Sequence, residues 1–240
     1  MEVRRCLARV RSANGEVQLA AEVNQALINS EELLLTDDRP DGTYVQDLSR
    51  LGIQSYRLND MVTARKCYDK VYQQIAIDKR MAEHAVDAIN NCATELMRQG
   101  NDELAMQIFQ AVMPEVDANL GPHCRVSALV MGNLACCYAK RQDYVRAENL
   151  QRQVVEIRKE ILGLSHEHTI VALGHLRSTV LATGDTFQVV ELGNDELKAR
   201  EGIKDASLKE IVAVAEEIAT ELESAGAYSE ALRFFEYELR

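Results

Sequence analysis

Small and apolar residues recur along this chain at a nearly constant step. Ala64, Ala105, Ala147, Val189 and Ala231 stand 41, 42, 42 and 42 residues apart. Ahead of each lies a second apolar or small pair: Leu51-Gly52, Cys92-Ala93, Leu134-Ala135, Leu176-Arg177 and Ile218-Ala219. Five residues before each sits a turn-former, Asn59, Gly100, Gln142, Gly184 or Gly226. The pattern predicts a helix A, a tight turn and a helix B in every period, the turn residue supplying the left-handed backbone that ends helix A. Ala64 to Tyr68, Ala105 to Phe109 and Ala231 to Phe235 are four-residue steps, which place an aromatic on the same face of helix B as the small residue. Self-similarity of this length means that each hairpin buries its apolar face against its neighbours.

One period, Asn133 to Thr169, reads NLACCYAKRQDYVRAENLQRQVVEIRKEILGLSHEHT. Helix B is expected from about Tyr144 to Leu162, ending at Gly163, and Leu120-Gly121-Pro122-His123 repeats that ending one period earlier. With a small residue in each helix and an aromatic one turn later, the chain resembles the tetratricopeptide repeat family. The long B helix, the Leu-Gly ending and the His-containing loop resemble its kinesin light chain variety. The resemblance implies an all-α, right-handed α-solenoid of about five hairpins over residues 44–240, read as one continuous array. Residues 1–43 read as an eroded entry repeat, with Gly15 in its turn and Ala20 in its helix B, and a loop over Thr36 to Tyr44. The fourth repeat departs from the pattern at Arg177, Val189 and Gly193 and is expected to be the weakest.

Composition narrows the function. Apolar residues make up 47% with 5% aromatic and no Trp, and the prolines and glycines fall mainly between helices, as suits a helical protein with a long shared core. A net charge of -11 disfavours nucleic acid and anionic membranes as partners. There is no apolar run of transmembrane length and no secretory leader, so the cytoplasm is the default, with the Arg-rich first twelve residues the sole mitochondrial cue. The six cysteines follow no disulfide or zinc spacing and read as buried fillers. His166-Glu167-His168 reads as a loop that caps the next helix, and the acidic run at Asp37 lacks the glutamate that closes a calcium loop. No phosphate-cradling loop or nucleophile elbow appears, so no enzyme, cofactor or metal is expected.

In the tetratricopeptide family, residues just before the small position of helix A face the concave surface. Two residues before it the chain carries Arg50, Asn91, Asn133, His175 and Glu217, polar at every step, with Asn90, Thr94 and Ser178 as neighbours. Asparagine offers a donor and an acceptor and so suits the backbone of an extended chain. The lysine-rich clamp of the family's chaperone-tail readers is missing at Gln46, Ser49, Asp87, Leu129 and Gly132. These residues point to a non-enzymatic protein-interaction scaffold or adaptor that takes a partner peptide or helix in its groove. The alternative is a structural subunit held by its ends and convex face, with Phe234, Phe235 and Tyr237 as an exposed terminal interface that also predicts self-association.

Overall fold

The computed structural model describes residues 100–204 and 206–236 throughout; ahead of these it describes 14–34, 42–58 and shorter runs within 8–12, 60–71 and 86–98. The described residues are helical apart from turns and caps. They fall into two compact units, Met1–Pro122 and His123–Arg240.

In the first unit, α1 (Val17–Leu34) follows a turn at Gly15, whose φ is 81°, and packs on α2 (Gly42–Arg57). Ala20, Ile28, Leu48 and Leu51 are buried, and the buried amide of Asn24 donates from Nδ2 to Gln54 Oε1 at 2.9 Å. Ala20 is thus buried in the helix that follows the Gly15 turn. The loop is shorter than expected, because Gly42, Thr43 and Tyr44 already belong to the first turn of α2 and Tyr44 is buried. Residues 36–41 and Asn59 lie outside the described residues. Ala64, Ala93, Ala105 and Phe109 are all buried, as their spacing requires. Helix α3 (Asp102–Leu120) carries Pro114 in its interior, against the expectation that prolines sit between helices. The ring is on the exposed side, where it does not disturb the packing of Val112 and Val116.

The second unit is three consecutive hairpins: α4 (Arg125–Lys140) with α5 (Tyr144–Leu162), α6 (Glu167–Thr183) with α7 (Thr186–Glu201), and α8 (Leu208–Ser224) with α9 (Tyr228–Phe235). Each helix packs on the next, so the core is one apolar layer running through Val130, Leu134, Val154, Leu173, Leu176, Leu197, Ile218 and Leu222. Helix A ends each time on a left-handed residue, Gln142 (φ 63°), Gly184 (85°) and Gly226 (79°). Gln142 is the one non-glycine among the described positive-φ residues and bears the strain that glycine spares the others. Asp143 and Asp185 then cap helix B by accepting from the N–H groups of Arg146 and Gln188, which satisfies a donor the helix cannot. Helix α5 spans the predicted Tyr144 to Leu162 and stops at Gly163.

Candidate functional site

The polar row is built by the A helices, and only part of it is open to a partner. Asn133 on α4 and His175 on α6 line a cleft of about 130 Å³ together with Gly132, Cys136, Gln151, Arg158 and His168. Gly132 adds no side chain to the cleft, and a Cβ there would make ordinary contacts, 3.9 Å from Arg158 Nη2 and 4.0 Å from Val154 Cγ2. Arg158 reaches across from α5 and donates from Nη1 to the backbone oxygen of His168 at 2.7 Å. No carboxylate pairs with it among the described residues. Burial pushes its pKa down from the usual arginine value, with Cys136 opposing.

Beneath this rim, Gln151 is 5% exposed and its Oε1 has no hydrogen-bond partner among the described residues. An unpaired buried acceptor is costly, so a donor entering the cleft would relieve it. Cys136 is pushed up by burial, against the pull of Lys140 and Arg158, and so favours the thiol. His175 keeps an edge in solvent, yet desolvation and the neighbouring Arg158 charge push its pKa down, with Glu196 opposing. At neutral pH the imidazole is therefore uncharged, and it can donate from one nitrogen and accept at the other. The cleft thus offers an anionic or carbonyl group the Arg158 guanidinium and offers an amide N–H the Gln151 oxygen.

Other members of the row are placed differently. Glu217 is exposed, and its carboxylate is held by Arg177 Nη2 at 2.9 Å. In the first unit Arg50 pairs with the buried Asp47 at 2.9 Å, Asn91 and Thr94 are exposed, and Asn90 is half-buried. Ser178 is exposed on α6. At the chain's last hairpin Phe234 corrects the expectation of an exposed aromatic: it is 4% exposed and packs over Gly193, whose Cβ would lie 3.1 Å from its ring. Phe235 is the exposed ring, and Tyr237 lies outside the described residues.

Sequence reasoning missed a buried charge cluster. Arg177 stands where the other A helices carry Gly52, Ala93, Ala135 and Ala219, and it is 2% exposed. Its Nε donates to Glu196 Oε2 at 3.2 Å, and its two terminal nitrogens reach Glu217 and Glu221. Glu196 takes the place held by Val112 and Val154 in earlier repeats and also binds Arg200 at 3.0 Å. Gly174 leaves room for that carboxylate, which would lie 3.7 Å from a Cβ there. Burial opposes the Arg177 charge, but Glu196, Glu221 and Glu217 outweigh it and hold the pKa above the usual value. The paired departure, alanine to arginine and valine to glutamate, was the available signal. What read as a weak repeat is one whose small-residue contact is replaced by ion pairs.

Among the described residues no group of three His, Cys, Asp or Glu could hold a metal ion, and no helix is long and apolar enough to cross a membrane. His166 accepts from the backbone N–H of His168 at 3.2 Å and so caps α6, the role its loop position predicted.

Residues 127–168 match the model of a family described as Tetratricopeptide repeat. No curated protein matches the sequence. The fold is similar to that of BtubC (BKLC) from P. vanneervenii, at TM-score 0.64 and 14% identity over 94% of this chain and 88% of that one. A putative kinesin light chain repeat protein from Podosopora anserina aligns at TM-score 0.59 and 17% identity, over 99% of this chain and 92% of its own. The apo form of RapI aligns at TM-score 0.58 and 12% identity, over 98% and 72%. At these identities the likeness is one of fold.

Proposed function

We propose that this tetratricopeptide repeat protein, an all-α solenoid with kinesin light chain-like 42-residue repeats, is a non-enzymatic scaffold that holds an extended segment of a partner protein. The cleft of Asn133, Gln151, Arg158 and His175 carries this reading. It presents donors and an unmet acceptor within one small space, which is what alternating C=O and N–H groups of a peptide need. Exposed Ser178 extends the candidate contact surface within the second unit.

The reading is tested by selecting from a display library of random peptides on the purified chain and titrating the winners against variants. Asn133→Ala with His175→Ala removes two polar partners, each worth about 0.5–1.5 kcal/mol, so affinity should fall several-fold to about a hundredfold. Peptides that bind the double variant as tightly as the parent chain would reject the cleft as the site. A second reading, a structural subunit held by its end, is favoured by the row of exposed apolar side chains on α9.

A further inference from the structure

Beside the polar cleft lies a cavity of about 110 Å³, where the last turns of α5 meet the first turn of α4 and the start of α6. Its two ends differ in chemistry. Val126, Ala128 and Ile157 form the floor and are at most 3% exposed, so the inside is apolar. Arg125, Ile161 and His168 also line it and are exposed, which puts them at the mouth. Arg158 lines both this cavity and the polar cleft, and its half-buried guanidinium is fixed by the bond from Nη1 to the backbone oxygen of His168 at 2.7 Å. Ile157 and Ile161 stand one turn apart on α5, so one face of that helix runs from floor to mouth.

Charge decides what such a cavity takes. Neither Arg125 nor Arg158 pairs with a carboxylate among the described residues. Glu160 and Glu167 adjoin lining residues in sequence, yet neither lines the cavity. A half-buried guanidinium without a counter-charge gains from an anion that brings its own apolar cover, because the chain keeps water away from the pair. An enclosed apolar cavity of about 150 Å³ takes benzene, so one of this size suits a chain of about five carbons. We propose that the cavity binds a short aliphatic carboxylate, its chain on Val126, Ala128 and Ile157 and its carboxylate at the guanidinium groups of Arg125 and Arg158. Two sources present that chemistry, a free acid and the last residue of a chain ending in leucine, which is 4-methylpentanoate with an amide nitrogen on its second carbon. The proposal does not rest on the peptide reading of the cleft, since Asn133 and His175 do not line this cavity.

The probe is 4-methylpentanoate, titrated into the isotope-labelled full chain while the amide NMR signals of Ala128, Ile157 and Ile161 are followed. Saturating shifts at these positions are expected, and rising salt should weaken the binding. Acetate, which lacks the chain, and 4-methylpentanamide, which lacks the charge, should each bind at least about tenfold more weakly. Both comparisons use the parent chain, so they hold whatever a substitution does to the fold. Arg125→Gln alters an exposed residue and should weaken the acid by at least about threefold with the thermal melt in place, and adding Arg158→Gln should bring the acid down to the level of the amide. Asn133→Ala with His175→Ala should leave the titration unchanged. Acetyl-Gly-Gly-Leu separates the two sources: binding at least as tight as that of the free acid assigns the cavity to a chain terminus, and weaker binding assigns it to a free acid. Acetate or the amide binding as tightly as the acid overturns the proposal. So does full binding to the double arginine variant, or loss of the acid from the variant lacking Asn133 and His175, which would place it in the polar cleft.

Discussion

Arg177 and Glu196 face each other at 3.2 Å in the interior of the α6–α7 hairpin, at positions where the preceding repeat places an alanine and a valine. Both are almost fully buried. An ion pair in such a place costs desolvation that its attraction only partly offsets, so it adds little stability over an apolar pair of similar volume. Removing one member is another matter, because the partner is then left charged and unmet. The pair therefore fixes which helices may lie together more than how strongly they hold, and Glu217 and Glu221 extend that constraint to α8.

Arg177→Ala is expected to cost about 3–5 kcal/mol, the range for orphaning a buried charge. Arg177→Ala combined with Glu196→Val restores the residues of the two preceding repeats and should recover most of that loss. Urea denaturation of both variants measures the difference. If the double variant is no better than the single one, Glu217 and Glu221 hold the arginine and Glu196 is incidental.

Gly193 is expected to reject a large side chain. A Cβ there already meets Ile218 Cγ2 and the Phe234 ring at 3.1 Å, so Gly193→Leu must displace one of them and should cost about 1–3 kcal/mol. The gain in helix propensity over glycine, about 1 kcal/mol at most, does not reverse the sign. Chemical denaturation checks it, and a stabilised variant would mean that α8 and α9 do not close over this site.

The period, the turns and the hairpin order were legible because each rests on a backbone requirement that few residues meet. Glycines fall where φ is positive at Gly15, Gly100, Gly184 and Gly226, and the buried alanines fall where two helices approach. The Arg177 cluster was not legible, since its carboxylates stand 19, 40 and 44 residues away and meet only through packing. Arginine at a small-residue position reads as damage until its partners are in view. The polar row was legible as a row, but Asn133 and His175 reach a cleft while the exposed Glu217 pairs with Arg177. Phe234 and Phe235 differ by one residue and about 100° of helix rotation. The register put Phe235 on the inner face beside Ala231, yet the ring that goes inward is Phe234.

The contact between helices A and B of the second hairpin unit's first repeat should be intolerant of volume. Ala135 and Ala147 are both 0% exposed on packed helices α4 and α5, so Ala147→Leu should overpack and cost about 1–3 kcal/mol. Glu148→Ala, one residue on, loses only its surface pair with Arg152 at 2.8 Å and should cost under about 1 kcal/mol. Thermal melts separate the two. Equal small shifts would place the helical register one residue away from the one described.

Acidification should reach the cleft through His175. Desolvation and the Arg158 charge hold its pKa below the ordinary 6.5, so the folded chain prefers the neutral imidazole more than the unfolded chain does. The unfolded state binds the proton first as pH falls, which means stability is at its plateau above about 6.5 and declines below it, until the folded imidazole also titrates. His175→Asn keeps a polar side chain that cannot titrate and should flatten this slope between about pH 7 and pH 5 without shifting the plateau much. Melting temperatures across that range, for parent and variant in one buffer series, decide it. The same protonation adds a cation beside Arg158, so any carboxylate-bearing ligand of the cleft should bind more tightly to the parent chain at pH 5.5 than at pH 7.5, and the asparagine variant should show no such gain. A parent whose stability and binding are flat over that interval would mean that solvent at the exposed edge of the ring cancels the effect of Arg158.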